Sequence, residues 1–221
     1  MRGWPWSALL VGVVLGGSLG AAPTGYVAAQ DASPAASASP GTACMLDPRP
    51  VDELLGLWFG PTGTPLAPSP GQPPVQSEGE LPQGAPADDQ TAAAVTATIH
   101  EIFACFDAAQ YARAFALMTD DAARAFGPDV SDPAEDTPEE VRTTLEAQIS
   151  GTPTANEETV PSEERTVLSE ARDARMLADG RVGAIFESEG FALFAQFEQR
   201  GDRWLLDDFI PIIAPGATPT S

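Results

Sequence analysis

The sequence of 221 residues contains no lysine and a single histidine, His100, and its 32 acidic residues outnumber its 11 arginines. The formal net charge of −21 makes a surface that repels phosphate backbones and anionic lipid headgroups. Nucleic-acid binding and peripheral membrane binding are therefore not expected. No cluster of histidine, cysteine and carboxylate has the spacing of metal ligands, and no glycine-rich phosphate loop is present, so we expect no metal and no cofactor.

The sequence also lacks an apolar run long enough to span a bilayer, which takes roughly 20 residues. Its N-terminal apolar stretch, residues 8–20, is shorter and rich in glycine. Arg2 precedes the stretch, and small residues follow it up to Ala29, where a signal peptidase could cleave. We therefore predict that residues 1–29 are a secretory signal peptide and that the mature protein is secreted or extracytoplasmic. An uncleaved anchor is the alternative.

Only two cysteines occur, Cys44 and Cys105. In an oxidising compartment an even number of cysteines favours a disulfide, and two residues allow one intramolecular pairing. Two free buried thiols are the alternative.

A short apolar segment, residues 44–59, stands between regions of low complexity. Pro50 suits the first position of a helix, and the residues after it place an apolar stripe at helical spacing: Val51, Leu54, Leu55 and Trp58. A helix this short is not stable alone in water, so we expect it to dock on the main domain through the Cys44–Cys105 bond. A partner-binding peptide is the alternative.

Three regions are poor in order-promoting residues. Residues 30–43 are mostly Ala, Ser and Pro and are predicted to be disordered. Residues 60–87 are predicted to be an extended, mobile linker because they are rich in Pro and Gly, and residues 214–221 form a similar tail.

One domain is predicted over residues 88–213, and it begins with helices. Asp88 or Asp89 can cap the first helix, whose apolar stripe consists of Ala92, Val95, Ile99, Ile102, Phe103 and Phe106. Cys105 and His100 fall on opposite flanks of this stripe. Further helices are predicted over residues 112–118, 121–126 and 137–149. Gly127 and Pro128 are expected to end the second of these, and Thr137 with Glu140 gives the third a capping box.

The periodicity changes to that of strands after residue 164. We predict four strands in an antiparallel meander, over residues 166–177, 181–187, 191–198 and 203–212. Asp179-Gly180 predicts a type I′ hairpin between the first two. Helices followed by strands indicate an α+β domain. Alternation places Leu193 and Phe197 opposite Phe194, and Leu206 opposite Phe209. The helices can cover one apolar face, and the other must be covered differently, line a cavity or form an oligomer interface.

This order of elements resembles the nuclear-transport-factor-2-like superfamily, which includes SnoaL-like and ketosteroid-isomerase-like proteins. The resemblance rests on residues 102–111, on residues 114–121 with their Leu-x-Thr-Asp-Asp pattern, and on the ending at residues 201–209. It implies helices packed on a strongly curved sheet in a cone-shaped, cystatin-like roll with a pocket between them. The first strand of the family pattern has no counterpart in the sequence.

Proton transfer is the enzymatic chemistry that the resemblance would allow, with a pocket carboxylate as base and a tyrosine or protonated acid as oxyanion donor. The weak candidates are Tyr111, Asp173, Asp207 and Asp208, and alternation allows only one of the last two to face a pocket. No residue matches a family catalytic motif by position. We therefore favour a non-catalytic module that binds an apolar small molecule or a protein partner, or forms a homodimer. A small isomerase or lyase is the alternative.

Overall fold

A computed structural model describes residues 44, 46–67, 72–130, 136–151, 167–188 and 191–213. The predicted signal peptide, the predicted disordered region 30–43 and the tail 214–221 lie outside these residues. The described part of the chain forms five α-helices and one antiparallel sheet of five strands, whose two edges do not meet. The α+β class predicted from the sequence is confirmed.

The five α-helices are α1 (Val51–Trp58), α2 (Asp89–Asp107), α3 (Tyr111–Ala114), α4 (Asp120–Val130) and α5 (Pro138–Ser150). Local sequence explains two of the starts. The Asp88 carboxylate accepts a hydrogen bond from the Thr91 N–H at 2.8 Å and caps α2. Thr137 and Glu140 form the predicted capping box of α5, with Pro138 at its first turn.

Two helices differ from the prediction. The helix expected over residues 112–118 is α-helical only to Ala114 and continues as a 3-10 turn over Phe115–Leu117. The helix expected to end at Gly127 runs on to Val130. Here tertiary packing overrides the local stop signal, because Trp58 lies directly against Gly127 and a Cβ there would meet its Nε1 at 2.2 Å.

The sheet consists of β1 (Gly84–Pro86), β2 (Arg172–Leu177), β3 (Val182–Ser188), β4 (Phe191–Arg200) and β5 (Arg203–Ile212), in that spatial order. The strand expected from residue 166 therefore begins at Arg172, and β1 was not predicted. The hairpin between β2 and β3 is not type I′, since only Gly180 has a positive φ, 89°. The Gly180 N–H donates to Leu177 O and the Leu177 N–H donates to Arg181 O, which makes a three-residue loop.

A bulge in β5 changes which face its side chains occupy. Phe197 pairs with Leu206 whereas Gln196 pairs with Asp208, so β5 carries one extra residue at this point. Leu206 belongs to the core on the helix side, and Phe209 stacks on Phe126 of α4 with ring centroids 5.0 Å apart. The prediction that Leu206 and Phe209 oppose each other is wrong, because strict alternation does not survive a bulge.

The face of the sheet toward the helices, called here the inner face, carries the main core. Leu193 and Phe197 lie in it, and Phe194 lies on the opposite face, as predicted. On α2 the residues Val95, Ile99 and Ile102 are buried as predicted, whereas Phe103 and Phe106 are only partly buried. Cys105 is completely buried, and it is bonded to Cys44 of the preceding segment. Side chains fill the space between helices and sheet, among them Phe115, Phe186 and Ile102.

The segment before the domain docks on the helix layer. A disulfide joins Cys44 to Cys105, with their Cα atoms 4.8 Å apart. Leu54 and Trp58 of α1 are buried, and the Trp58 indole N–H donates to Ala123 O at 2.9 Å. The two cysteines lie at disulfide distance, as predicted, and α1 packs against buried residues of the main core.

The outer face of the sheet is covered by part of the segment that was predicted to be an extended linker. We call residues 72–86 the strap. Val75 forms backbone hydrogen bonds with Pro211 O and Ile213 N, both at 2.9 Å, and Leu81 packs with Phe194 in a second apolar cluster. The strap then becomes β1 and pairs with β2. The linker prediction is wrong for these residues because Val75 and Leu81 find an apolar surface that composition alone does not reveal.

Candidate functional site

Asp207 joins the helix layer to the sheet. Its carboxylate accepts hydrogen bonds from the Thr119 hydroxyl at 2.9 Å and from Arg181 Nη1 at 2.8 Å. Its side chain is one-fifth exposed. Both of its oxygens have a donor, and the Thr119 hydroxyl lies at the start of α4. The arrangement is that of an ion pair which joins the start of α4 to β5 and engages both carboxylate oxygens.

Asp208 lies on the outer face, as the sequence predicted for one of the two neighbouring acids. Burial raises the pKa of Asp208, and a hydrogen bond from Gln72 of the strap partly offsets that rise. The cross-strand partner of Asp208 is Gln196, whose buried side-chain oxygen Oε1 has no hydrogen-bond donor among the described residues. Asp208 therefore faces the strap and not the interior between helices and sheet.

Asp173 lies in a second bulge, on β2. It adopts a positive φ of 52°, which aspartate tolerates better than most residues. Its carboxylate pairs with Arg175 and is about half exposed. Asp173 is thus an edge residue whose conformation serves the bulge. His100 is half-buried, and its ring Nε2 donates to Ser169 O at 3.1 Å, so it ties α2 to the chain before β2.

Tyr111 is the one candidate that lies at a concave site. A small cleft of about 50 Å³ opens between α1, α3 and α5. The described residues that line it are Trp58, Tyr111, Asp136, Glu140, Val141, Thr144, Leu145 and Gln148. The sequence pointed to Tyr111 for a different place, the interior between helices and sheet. Asp173, Asp207 and Asp208 are not among the lining residues.

The cleft combines an apolar floor with oxygen atoms. Trp58 is fixed there by its hydrogen bond to Ala123 O and by edge contact with Phe115, at a centroid distance of 5.3 Å. The Glu140 carboxylate accepts from the Thr137 hydroxyl and N–H, and these bonds lower its pKa. Glu140 is therefore a carboxylate that keeps its negative charge while it caps α5.

Gln148 lines the cleft, and its side chain contains a buried oxygen without a hydrogen-bond partner among the described residues. The residue is 3% exposed, and its Oε1 accepts no hydrogen bond from any described residue. Most buried polar atoms in folded proteins have a partner, so an orphan of this kind requires an explanation. Sequence reasoning missed this site, because Gln148 lies in an ordinary helical pattern and the burial of its side chain depends on how α5 packs against α1 and α3.

Comparison with known proteins identifies no relative. No family model matches the chain, and neither a curated protein nor a solved structure matches it. Within the described ranges, no group of three or more His, Cys, Asp or Glu residues could hold a metal ion. No described helix has the length and apolar character required to cross a bilayer.

Proposed function

We propose that this chain is a secreted, non-catalytic binding module of the nuclear-transport-factor-2-like superfamily, with its sheet curved into the cone-shaped roll of SnoaL-like proteins. Its binding site is the cleft between α1, α3 and α5. The observation that carries the proposal is the cleft itself, a concave site of about 50 Å³ lined by Trp58, Tyr111 and the almost fully buried Gln148. The partner is a protein or a small molecule that enters this cleft.

The candidate acids support a non-catalytic role. Asp207 and Asp173 are bound to arginines, and these ion pairs favour carboxylates that serve structure. Filling of the interior by Phe115, Phe186 and Phe197 argues against an apolar carrier of the usual kind, in which a ligand occupies that interior. The strap over Phe194 likewise argues against a homodimer formed through the outer face.

An extracytoplasmic location is part of the proposal. It rests on the signal-peptide pattern of residues 1–29 and is supported by the Cys44–Cys105 disulfide, since such bonds persist in oxidising compartments. The acidic surface suits partners of positive charge.

A small isomerase or lyase is the second candidate, and Asp208 is the observation that favours it. Burial raises the pKa of Asp208, which is the direction expected for a general base. Exchange of enolisable ketone protons for deuterium, followed by proton NMR with the protein and with its Asp208→Asn variant, tests this alternative. Exchange that the variant abolishes would replace our proposal with the enzymatic one.

Native mass spectrometry of mature protein from secreting cells tests binding at the cleft. We expect a retained molecule or partner on the wild-type protein. Thr144→Trp should abolish it by filling the cleft, whereas Thr143→Trp should retain it because Thr143 is the exposed neighbour on α5 and does not line the cleft. A wild-type protein that carries nothing, or two variants that behave alike, would contradict the proposed site.

A further inference from the structure

The middle of the strap is a turn that buries no side chain. Glu78–Glu80 forms this turn, which is of the 3-10 type. On either side of it the strap is bonded to the sheet, since the Val75 N–H donates to Pro211 O and the Ala87 N–H, directly after the strap, donates to Ala174 O, both at 2.9 Å. Apolar burial contributes little at the turn itself, so its polar contacts decide how firmly it stays on the sheet.

Arg172 of β2 makes the polar contact that reaches the turn. Its two terminal nitrogens donate to the two oxygens of Glu78, at 3.0 and 2.8 Å, and Nη2 also donates to Glu187 of β3 at 2.7 Å. One guanidinium therefore joins the strap to two strands, in the bidentate geometry that makes such pairs strong. The side chains of Arg172 and Glu78 are 44% and 48% exposed, so solvent reaches the pair.

The charge of Glu78 depends on this contact. Hydrogen bonds from Arg172 hold the pKa of Glu78 below its usual range, and the nearby charge of Arg175 acts in the same direction. A carboxyl group whose pKa is lowered in the closed state stabilises that state above its usual pKa, and the contribution is lost as the pH falls through the lowered value. Acid pH therefore weakens the hold on the strap.

Other charged groups surround the pair. Asp173 and Arg175 follow Arg172 on β2 and pair with each other. Glu80, at the end of the same turn, accepts a hydrogen bond from the Ser77 hydroxyl at 2.9 Å, and no arginine of the described ranges forms an ion pair with it. Glu80 is thus a second carboxylate on this turn that does not depend on Arg172.

We propose that Arg172 is an ionic latch, which holds the strap over the outer face while Glu78 is ionised and releases it when Glu78 is protonated. The open strap exposes the outer face, where Phe194 and Gln196 are buried in the closed state. The helices and the disulfide stay in place, because the latch joins only the strap, β2 and β3. The inference is independent of the cleft, so the failure of one leaves the other standing.

The test is native-state amide hydrogen exchange of the mature, disulfide-bonded protein, followed by NMR between about pH 3 and pH 6. The Val75 and Ala87 amides report opening of the strap, because both donate to the sheet beside the turn. The Ile99 amide, inside α2, reports unfolding of the domain. Protection factors are compared, since they correct for the intrinsic effect of pH on exchange.

Two glutamates of one turn provide matched variants. At about pH 6, Glu78→Gln should lower the protection of Val75 and Ala87 about 3-fold, the size expected for an exposed ion pair, and leave Ile99 unchanged. Glu80→Gln removes a charge from the same turn and should change none of these amides. The loss caused by Glu78→Gln should shrink toward about pH 3, as Glu78 of the wild-type protein becomes protonated.

Arg172→Lys separates the bidentate bond from the charge. Lysine keeps the positive charge but not the planar fork, so this variant should lower strap protection by less than Glu78→Gln does. Equal losses in the two glutamine variants, or unchanged protection in Glu78→Gln, overturn the latch. An equal loss at Ile99 would show that the pair stabilises the whole domain and would overturn it as well. A loss that stays constant from about pH 6 to about pH 3 contradicts the release on protonation.

Discussion

The two faces of the sheet are covered in different ways. Helices cover the inner face, and a disulfide fixes α1 and the chain before it on that cover. The strap covers the outer face with a few apolar side chains and backbone hydrogen bonds. The inner face buries aromatic rings such as Phe186 and Phe197, whereas the outer face also buries polar groups, Arg175 and Gln196.

Polar contacts also hold the strap on the sheet, because the strap buries only a few apolar side chains. Arg172 donates to both oxygens of Glu78 in the strap, at 3.0 and 2.8 Å, and this pairing lowers the pKa of Glu78. Arg175 lies under the strap, donating to Pro82 O at 3.2 Å with its guanidinium 5.3 Å from the centre of the Phe194 ring. We therefore expect the helices on the inner face to contribute most of the folding free energy, and the strap to contribute less and mainly through polar contacts.

Removal of the Cys44–Cys105 disulfide is expected to change the free energy of unfolding most. Cys44→Ser should lower the free energy of unfolding by about 4 kcal/mol, because the bond closes a loop with a sequence separation of 61 residues. Guanidinium chloride denaturation without reductant measures it. The wild-type protein in reductant serves as the control and should match the variant. A decrease of less than about 1 kcal/mol in the free energy of unfolding would mean that the packing of α1 is enough to hold residues 44–59 on the domain.

A pair of leucines compares the two covers directly. Leu54 of α1 and Leu81 of the strap are both almost fully buried, at 0% and 2% exposure. Leu54→Ala should cost about 3 kcal/mol and Leu81→Ala about 2 kcal/mol, because the strap can close over the smaller side chain more easily than the helix layer can. The same denaturation experiment measures both. A neutral Leu81→Ala would contradict the strap and restore the mobile linker that composition indicated.

Local sequence patterns predicted most of the helices and the strands β2 to β5. The strap, β1 and the bulges depend on contacts between residues far apart in the sequence and could not be predicted. The capping box of Thr137 and Glu140 could be predicted because it depends on four consecutive residues. The strand Gly84–Pro86 could not, because its three residues carry no strand pattern and it forms only by pairing with β2. The extra residue at Asp207 likewise shows only when β5 is aligned with β4.

The candidate site was predicted only in part for the same reason. Tyr111 could be singled out as the oxyanion donor that the resemblance would allow, but its neighbours in the cleft come from α1 and α5. The orphan oxygen of Gln148 is a property of the packed helices and leaves no trace in the spacing of residues. A candidate residue could be chosen from its side-chain type, whereas the shape of the cleft and the burial of Gln148 depend on how the helices pack and could not be predicted.

The smallest expected change in stability comes from Asp208, whose carboxyl group is partly buried under the strap. Burial raises the pKa of Asp208, so the folded state favours its protonated form. Its stabilising contribution is therefore present at acid pH and is lost as the pH rises through the raised value. A protonated Asp208 can also donate to Gln196 Oε1 across the strands, which no described group satisfies. Gln72 of the strap bonds to Asp208, and the nearby charges of Asp207 and Arg181 raise and lower its pKa respectively.

Asp208→Asn tests this because an asparagine remains neutral and can donate to Gln196 at every pH. At neutral pH the variant should be more stable than the wild-type protein by up to about 1 kcal/mol, the net value of one hydrogen bond. The difference should shrink as the pH falls from about 7 to about 3, where Asp208 itself becomes neutral. Paired urea denaturations across that range measure the difference and cancel the opposing contribution of acids such as Glu78, whose lowered pKa makes acid pH destabilising. A difference that is constant with pH would mean that Asp208 stays ionised beneath the strap.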